Sequence, residues 1–176
     1  MSIDYLYHLL TPPSKPLESP YDAEWSSIEA RLGAELPSDY KEFIHAYGSG
    51  QIDDFLWILN PFSSNDNLNL EKQIFLQRQV LEELINFGEV LPFKSFPNLN
   101  GLLPFGITDN GDLLFWKTGE NSASWTVVIN GARSTEWEVF TLSMSRFLEA
   151  VLNGTLDCNT FPRNFPGTSP LFKSAK

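Results

Sequence analysis

The sequence predicts an α+β fold: a single domain with a mainly antiparallel sheet flanked by about four helices. Three observations predict it. Over 21–47 and again over 68–87 apolar residues recur at three- and four-residue spacing, the helical period. Between 102 and 140 the spacing falls to two, the strand period, with turn residues between the runs. A last apolar stretch at 143–152 returns to the helical period, and no internal repeat divides the 176 residues, a length that one domain fills.

Residues 1–20 are predicted as an N-terminal arm. Four prolines between Pro12 and Pro20 prevent a continuing helix and favour an extended course. Tyr5, Leu6, Leu9 and Leu10 are apolar enough to require packing, on the domain or on a second copy. The domain itself spans 21–154 and opens with a helix over 21–32, with Trp25, Ile28 and Leu32 on one face. A second helix over 37–47 is well marked. Pro37 suits a first turn, where its missing N–H costs nothing, and Ser38 and Asp39 can serve the unpaired N–H groups there. Tyr40, Phe43, Ile44 and Tyr47 form its apolar face; Gly48 can end it in the left-handed conformation and Gly50 lets the chain reverse.

A strand is predicted over 51–59, with Ile52, Phe55, Trp57 and Leu59 among its bulky positions, Asp53 and Asp54 near its start, and Asn60-Pro61 ending it. Residues 68–87 read as a long amphipathic helix with Leu70, Ile74, Leu81, Leu84 and Ile85 near the buried stripe, capped by Asp66 or Asn67 and ended by Gly88. A connector follows over 89–101. Strands at 102–108 and 112–117 join through Asp109-Asn110-Gly111, whose Asn-Gly pair suits a type I′ turn. The run 124–130 alternates Trp125, Val127 and Ile129, and 136–140 sets Trp137 and Val139 opposite Glu136 and Glu138, completing an antiparallel meander with one wet face. A final helix over 143–152 presents Phe147, Leu148, Val151 and Leu152 inward and closes at Asn153-Gly154. Residues 155–176 show no periodicity and are expected as an irregular tail that packs on the domain or trails from it.

Charge narrows the function classes. Acids outnumber bases 22 to 12, so the surface repels phosphate backbones and anionic lipid heads, and direct binding to nucleic acid or membrane is disfavoured. A basic protein partner suits that surface. The single cysteine, Cys158, excludes an internal disulfide and fits a reducing compartment. The N-terminus lacks the basic flank and long apolar run of a signal peptide, and no stretch approaches ~20 apolar residues. A soluble cytoplasmic protein is expected.

Catalytic chemistry finds no footing. Nucleophile-and-base catalysis needs a Ser, Cys or Thr beside an oriented His, and the two histidines, His8 and His45, sit at an arm and on a helix between core positions. Zinc needs about four clustered Cys and His ligands, which the chain cannot supply. Asp109, Asn110 and Asp112 fall close together but lack EF-hand spacing and are explained by the turn. The acid pairs Asp53-Asp54 and Glu82-Glu83 point apart and read as solvated charge rather than a glycosidase pair. Gly48-Ser49-Gly50 precedes a strand, whereas a phosphate loop precedes a helix. Trp116, Trp125 and Trp137 could line a groove, but at alternating strand positions at least two are expected in the core. The chain is therefore expected to need no cofactor and to catalyse nothing.

Trp25, Ile28-Glu29, Leu32-Gly33, Leu36-Pro37, Tyr40-Lys41, Phe43-Ile44, Tyr47-Gly48-Ser49-Gly50 and Asn60-Pro61-Phe62 occur in an order that resembles the opening of SUKH-superfamily domains. The likeness continues in Leu103-Pro104-Phe105-Gly106, Asn110-Gly111-Asp112, Trp116, Trp125 and Phe147-Leu148, and covers roughly 21–153. The superfamily includes yeast cell-wall-synthesis regulators and many bacterial toxin-immunity proteins. The resemblance implies an immunity protein that neutralises a polymorphic toxin domain, a basic nuclease-like one by charge, through steric and electrostatic occlusion. The alternative it implies is a non-catalytic regulatory scaffold that binds another cytoplasmic protein. The carboxylates expected to share the open side of the sheet or its rim, and so to meet the partner, are Asp53, Asp54, Asp112, Glu136 and Glu138. A monomer or a weak homodimer through the apolar arm is expected.

Overall fold

Helix formation near the N-terminus starts earlier than the prolines suggest. In the computed structural model, which describes residues 2–176, Asp4–Tyr7 forms a short helix, α1. It brings Ile3, Leu6 and Leu10 into the core, all fully buried. The prolines act only downstream, where the chain runs extended over the domain and Leu17 accepts a hydrogen bond from the Ser49 N–H (2.8 Å).

The next helices are α2 (Trp25–Leu32) and α3 (Ser38–Tyr47). Trp25 and Ile28 of α2, and Tyr40, Phe43, Ile44 and Tyr47 of α3, are buried as the spacing predicts. Two tyrosine hydroxyls fix this layer from within: Tyr47 donates to the Leu10 carbonyl (2.5 Å) and Tyr40 to that of Leu59 (2.6 Å). Asp39 serves its own helix as expected, accepting the Tyr40 N–H (2.9 Å), and does a second job that its position does not suggest. Its buried carboxylate accepts the N–H (3.0 Å) and hydroxyl (2.7 Å) of Ser145, so it caps the helix α5 (Met144–Leu152) across a sequence gap of about a hundred residues.

The single strand expected over 51–59 is a hairpin instead. β1 (Gly50–Ile52) and β2 (Leu56–Ile58) pair antiparallel around Asp53 and Asp54, which take φ of 50° and 52°. Aspartate is among the few residues that tolerate this left-handed region. β3 (Leu102–Thr108), β4 (Leu113–Lys117), β5 (Thr126–Asn130) and β6 (Trp137–Phe140) form the predicted meander. The β3–β4 turn is not type I′, because only Gly111 has positive φ (86°); the loop closes through the Gly111 N–H to the Thr108 carbonyl (2.9 Å).

The tail is ordered and structural. Phe161 and Phe165 are buried against Phe55, with ring centroids 5.6 and 4.8 Å away, and β7 (Phe172–Ser174) pairs antiparallel with β1. The sheet thus has seven strands in the order β6-β5-β4-β3-β2-β1-β7. α1, α2, α3 and α5 cover one face, where Leu103, Phe105, Leu114, Trp116, Val127 and Ile129 meet them. The opposite face is not simply wet. Leu102, Phe115 and Val128 are buried there beneath Phe93 of the connector, with Leu113 and Trp137 alongside. Trp116 and Trp125 lie in the core and Trp137 is half-buried on this second face.

α4 (Leu70–Asn86) leaves this frame from the end of β2 and lies beside β3. Its cap is Asn69, whose side chain accepts from the Lys72 N–H (3.2 Å), not Asp66 or Asn67. Leu70 and Leu81 are buried and Ile74 and Leu84 half-buried, but Ile85 faces solvent. None of the helices is long and apolar enough to cross a membrane among the described residues.

Candidate functional site

The antiparallel topology gathers three loops at one end of the sheet: the β1–β2 turn, the β3–β4 turn and the β5–β6 loop. The loops are tied one to the next across the sheet. The Asp109 N–H donates to the Phe55 carbonyl (2.9 Å), and the Asp112 carboxylate accepts the Ala132 N–H (2.8 Å). All five carboxylates expected at the partner contact lie at this end, but four of them are engaged within the chain.

Asp53 accepts the N–H groups of Gly167 (2.9 Å) and Leu171 (2.7 Å), and Asp54 pairs with Lys173. Asp112 is buried and also takes the Thr108 hydroxyl (2.6 Å). Glu138 accepts the N–H (2.7 Å) and hydroxyl (2.5 Å) of Thr160, the N–H of Asn159 (3.0 Å) and the Cys158 thiol (3.6 Å). The expected facing of β6 is reversed here. Glu138 pairs with Ile129 on the helix-covered face, and Val139 is exposed on the other. Backbone amides from the tail make that placement affordable, since each satisfied lone pair offsets the loss of water. Asp53, Asp54 and Glu138 are therefore the anchors of residues 158–173, a role no local pattern announces.

Glu136 is the exception. Its exposed carboxylate has no hydrogen-bond or ion-pair partner among the described residues, and it stands at a cleft of about 510 Å³ lined by Asp112, Glu138, Asn159, Thr160 and the half-buried Trp137. Three of the expected residues thus converge on one cavity, and Asp53 and Asp54 sit at a neighbouring loop. Trp137 is the residue that the spacing argument undervalued: it lines the cleft, and its ring packs on Phe93 (5.5 Å) and Phe115 (6.1 Å) of the second face. A bulky aromatic beside two acids on an edge strand was the available signal.

The electrostatics follow from the contacts. Burial pushes the Glu138 carboxyl up, but the hydrogen bonds from Thr160, Asn159 and Cys158 outweigh it and leave the group below its ordinary value of 4.5. Burial, reinforced by the Glu138 charge, pushes the Cys158 thiol up to about 12, which makes it a poor nucleophile. A carboxyl whose folded pKa is depressed contributes stability above its unfolded pKa and loses it as pH falls through the folded value. Acidification from about pH 5 should therefore loosen residues 158–160 first, and Glu138→Gln should remove that pH dependence. Limited proteolysis at the tail, followed against pH, checks it; cleavage that is equally pH-dependent in the variant would count against this anchor.

His8 and His45 are both exposed, and no group of three or more His, Cys, Asp or Glu side chains that could hold a metal ion occurs among the described residues. A second surface stands apart from the cleft. The outward side of α4 exposes Phe75, Leu76 and Val80, and Phe87 follows at its C-terminal cap. These apolar residues lie outside the buried stripe and stay exposed in the fold.

Comparison with known proteins adds one finding. The family model SUKH_6, described as SMI1-KNR4 cell-wall, matches residues 22–148. Neither a curated protein nor a solved structure matches the chain. The matched span runs from the 3-10 turn that leads into α2 to the middle of α5, taking in the sheet from β1 to β6 and leaving out α1 and the anchored tail. On that match the chain belongs to the SUKH superfamily.

Proposed function

We propose that this chain is an immunity protein that binds a basic toxin domain and neutralises it by covering it, without chemistry of its own. The observation that carries the reading is the cleft at the hairpin end of the sheet, where Glu136, unpaired among the described residues, stands next to a half-buried Trp137 in a chain with ten more acids than bases. An aromatic anchor with an adjacent free carboxylate suits a Lys or Arg side chain lying over the ring. Asp112 and Glu138 stay with their own amides and supply field rather than direct bonds. Asp53 and Asp54 extend the negative potential along the same end. Such a field accelerates encounter with a basic partner more than it tightens the final complex.

The test begins with the reading frames beside the gene, where a secreted protein ending in a small basic domain is expected. That domain should co-purify with this chain and lose its toxicity on binding. Glu136→Lys should slow association about tenfold at low salt, leave thermal unfolding unchanged, and show its largest effect below about 0.1 M ionic strength. An adjacent basic domain whose activity survives a stoichiometric excess of the chain would overturn the reading. The family description names the cell wall, which favours a second reading, a non-catalytic regulatory module that binds another protein. Co-purification of a cell-wall-synthesis protein in place of a toxin domain would select it.

A further inference from the structure

We infer that α4 pairs with the α4 of a second copy, antiparallel, in a two-fold dimer. Lys72, Leu76, Val80, Glu83 and Phe87 are spaced by four, four, three and four residues, so they form one stripe along the helix and its cap. This stripe flanks the line of Leu70, Gln73 and Leu81 that faces the protein. Leu76 is 46% exposed, Val80 40% and Phe87 86%. A run of that kind on the surface marks an interaction site.

The order of the stripe identifies the occupant. Read from either end, its first four residues are complementary to themselves, a basic residue, two aliphatic residues and an acidic one, with an aromatic beyond them. An axis between Leu76 and Val80 sets Leu76 of one copy on Val80 of the other and brings Lys72 opposite Glu83, all within one residue of the same dyad. Parallel pairing would set Lys72 against Lys72 and Glu83 against Glu83. The same axis makes a further match that the stripe alone does not require. It carries Phe87 to the N-terminal end of the other α4, where an open groove of about 500 Å³ is lined by Asp66, Asn67, Lys72, Phe75 and Leu76. Knob and hole thus fall at mirrored positions, as an isologous interface demands. The charges are free to rearrange: Glu83 has no partner among the described residues, and the Lys72 pair with Asp66 is solvent-exposed at both ends, a kind of pair that contributes little. The N-terminal arm, for which packing on the domain or on a second copy was expected, lies on its own domain, with Ile3, Leu6 and Leu10 buried there.

Sedimentation equilibrium on the full chain, from about one micromolar to about one millimolar, tests the inference independently of the toxin reading. A reversible monomer–dimer transition is expected. Lys72→Glu and Glu83→Lys should each weaken the dimer about tenfold by placing like charges together twice per dimer, and the double variant should return to near the wild-type constant. Phe87→Ala should weaken it by a similar factor with helix content unchanged by circular dichroism. A monomer mass at every concentration would overturn the inference, and so would a double variant weaker than both singles.

Discussion

Gly48→Ala is expected to destabilise the protein by about 4 kcal/mol or more, a large share of the ~5–15 kcal/mol that holds a domain of this size together. Gly48 ends α3 at φ 67°, ψ −150°, a region essentially closed to residues with a Cβ. Strain alone costs about 1–3 kcal/mol. The larger part is steric. An added Cβ would lie 2.1 Å from the Leu17 carbonyl oxygen, a backbone atom that itself accepts the Ser49 N–H. The arm must move away and its contact to the domain must break. Gly154→Ala separates the two effects, because Gly154 has φ 74° but nothing within 4 Å of an added Cβ. That variant should lose only about 1 kcal/mol. Urea midpoints of the two variants measure the difference, and similar losses would show that the Leu17 crossing carries no weight.

Deleting residues 155–176 is expected to cost still more, at least about 6 kcal/mol, and to leave an expanded state that binds hydrophobic dyes. Phe161 and Phe165 are both buried, and truncating a buried Phe costs about 3–5 kcal/mol. The deletion also strips β7 from the edge of β1 and leaves the carboxylates of Asp53 and Glu138 without the amides that satisfy them. Phe161→Ala is the milder companion, expected to lose about 3 kcal/mol while keeping the tail hydrogen bonds. Near-UV circular dichroism and urea unfolding check both; a truncated chain that unfolds as cooperatively and as late as the full one would refute the structural role of the tail. The family match ends at residue 148, so residues 155–176 lie outside it.

What was legible in the sequence was periodic. Tyr40, Phe43, Ile44 and Tyr47 repeat at helical spacing, and helix α3 follows within a residue of the predicted ends. Trp125 was read with Val127 and Ile129 from their alternation, and all three are buried, although the strand itself starts one residue later. Such patterns survive because each element must bury one face whatever its neighbours are. The acidic candidates show the opposite case. Composition told that the surface is negative, but a carboxylate reads the same in sequence whether water, a partner or its own chain satisfies it.

The sequence by itself determined the α+β class, the family, the helices α2, α3, α4 and α5, the β3–β6 meander, and the acidic balance. Each rests on local period or on composition, and both act over a few residues. Only the tertiary structure decided that Asp53 and Asp54 sit in a turn held by residues more than a hundred positions away, that Glu138 faces the core side, and that the tail completes the sheet. It alone also set Glu136 free beside Trp137 and left the Leu76 stripe of α4 uncovered. Those outcomes depend on which distant backbone amides reach a given oxygen and which faces remain after the core is filled, and closing long loops leaves no mark on nearest-neighbour spacing.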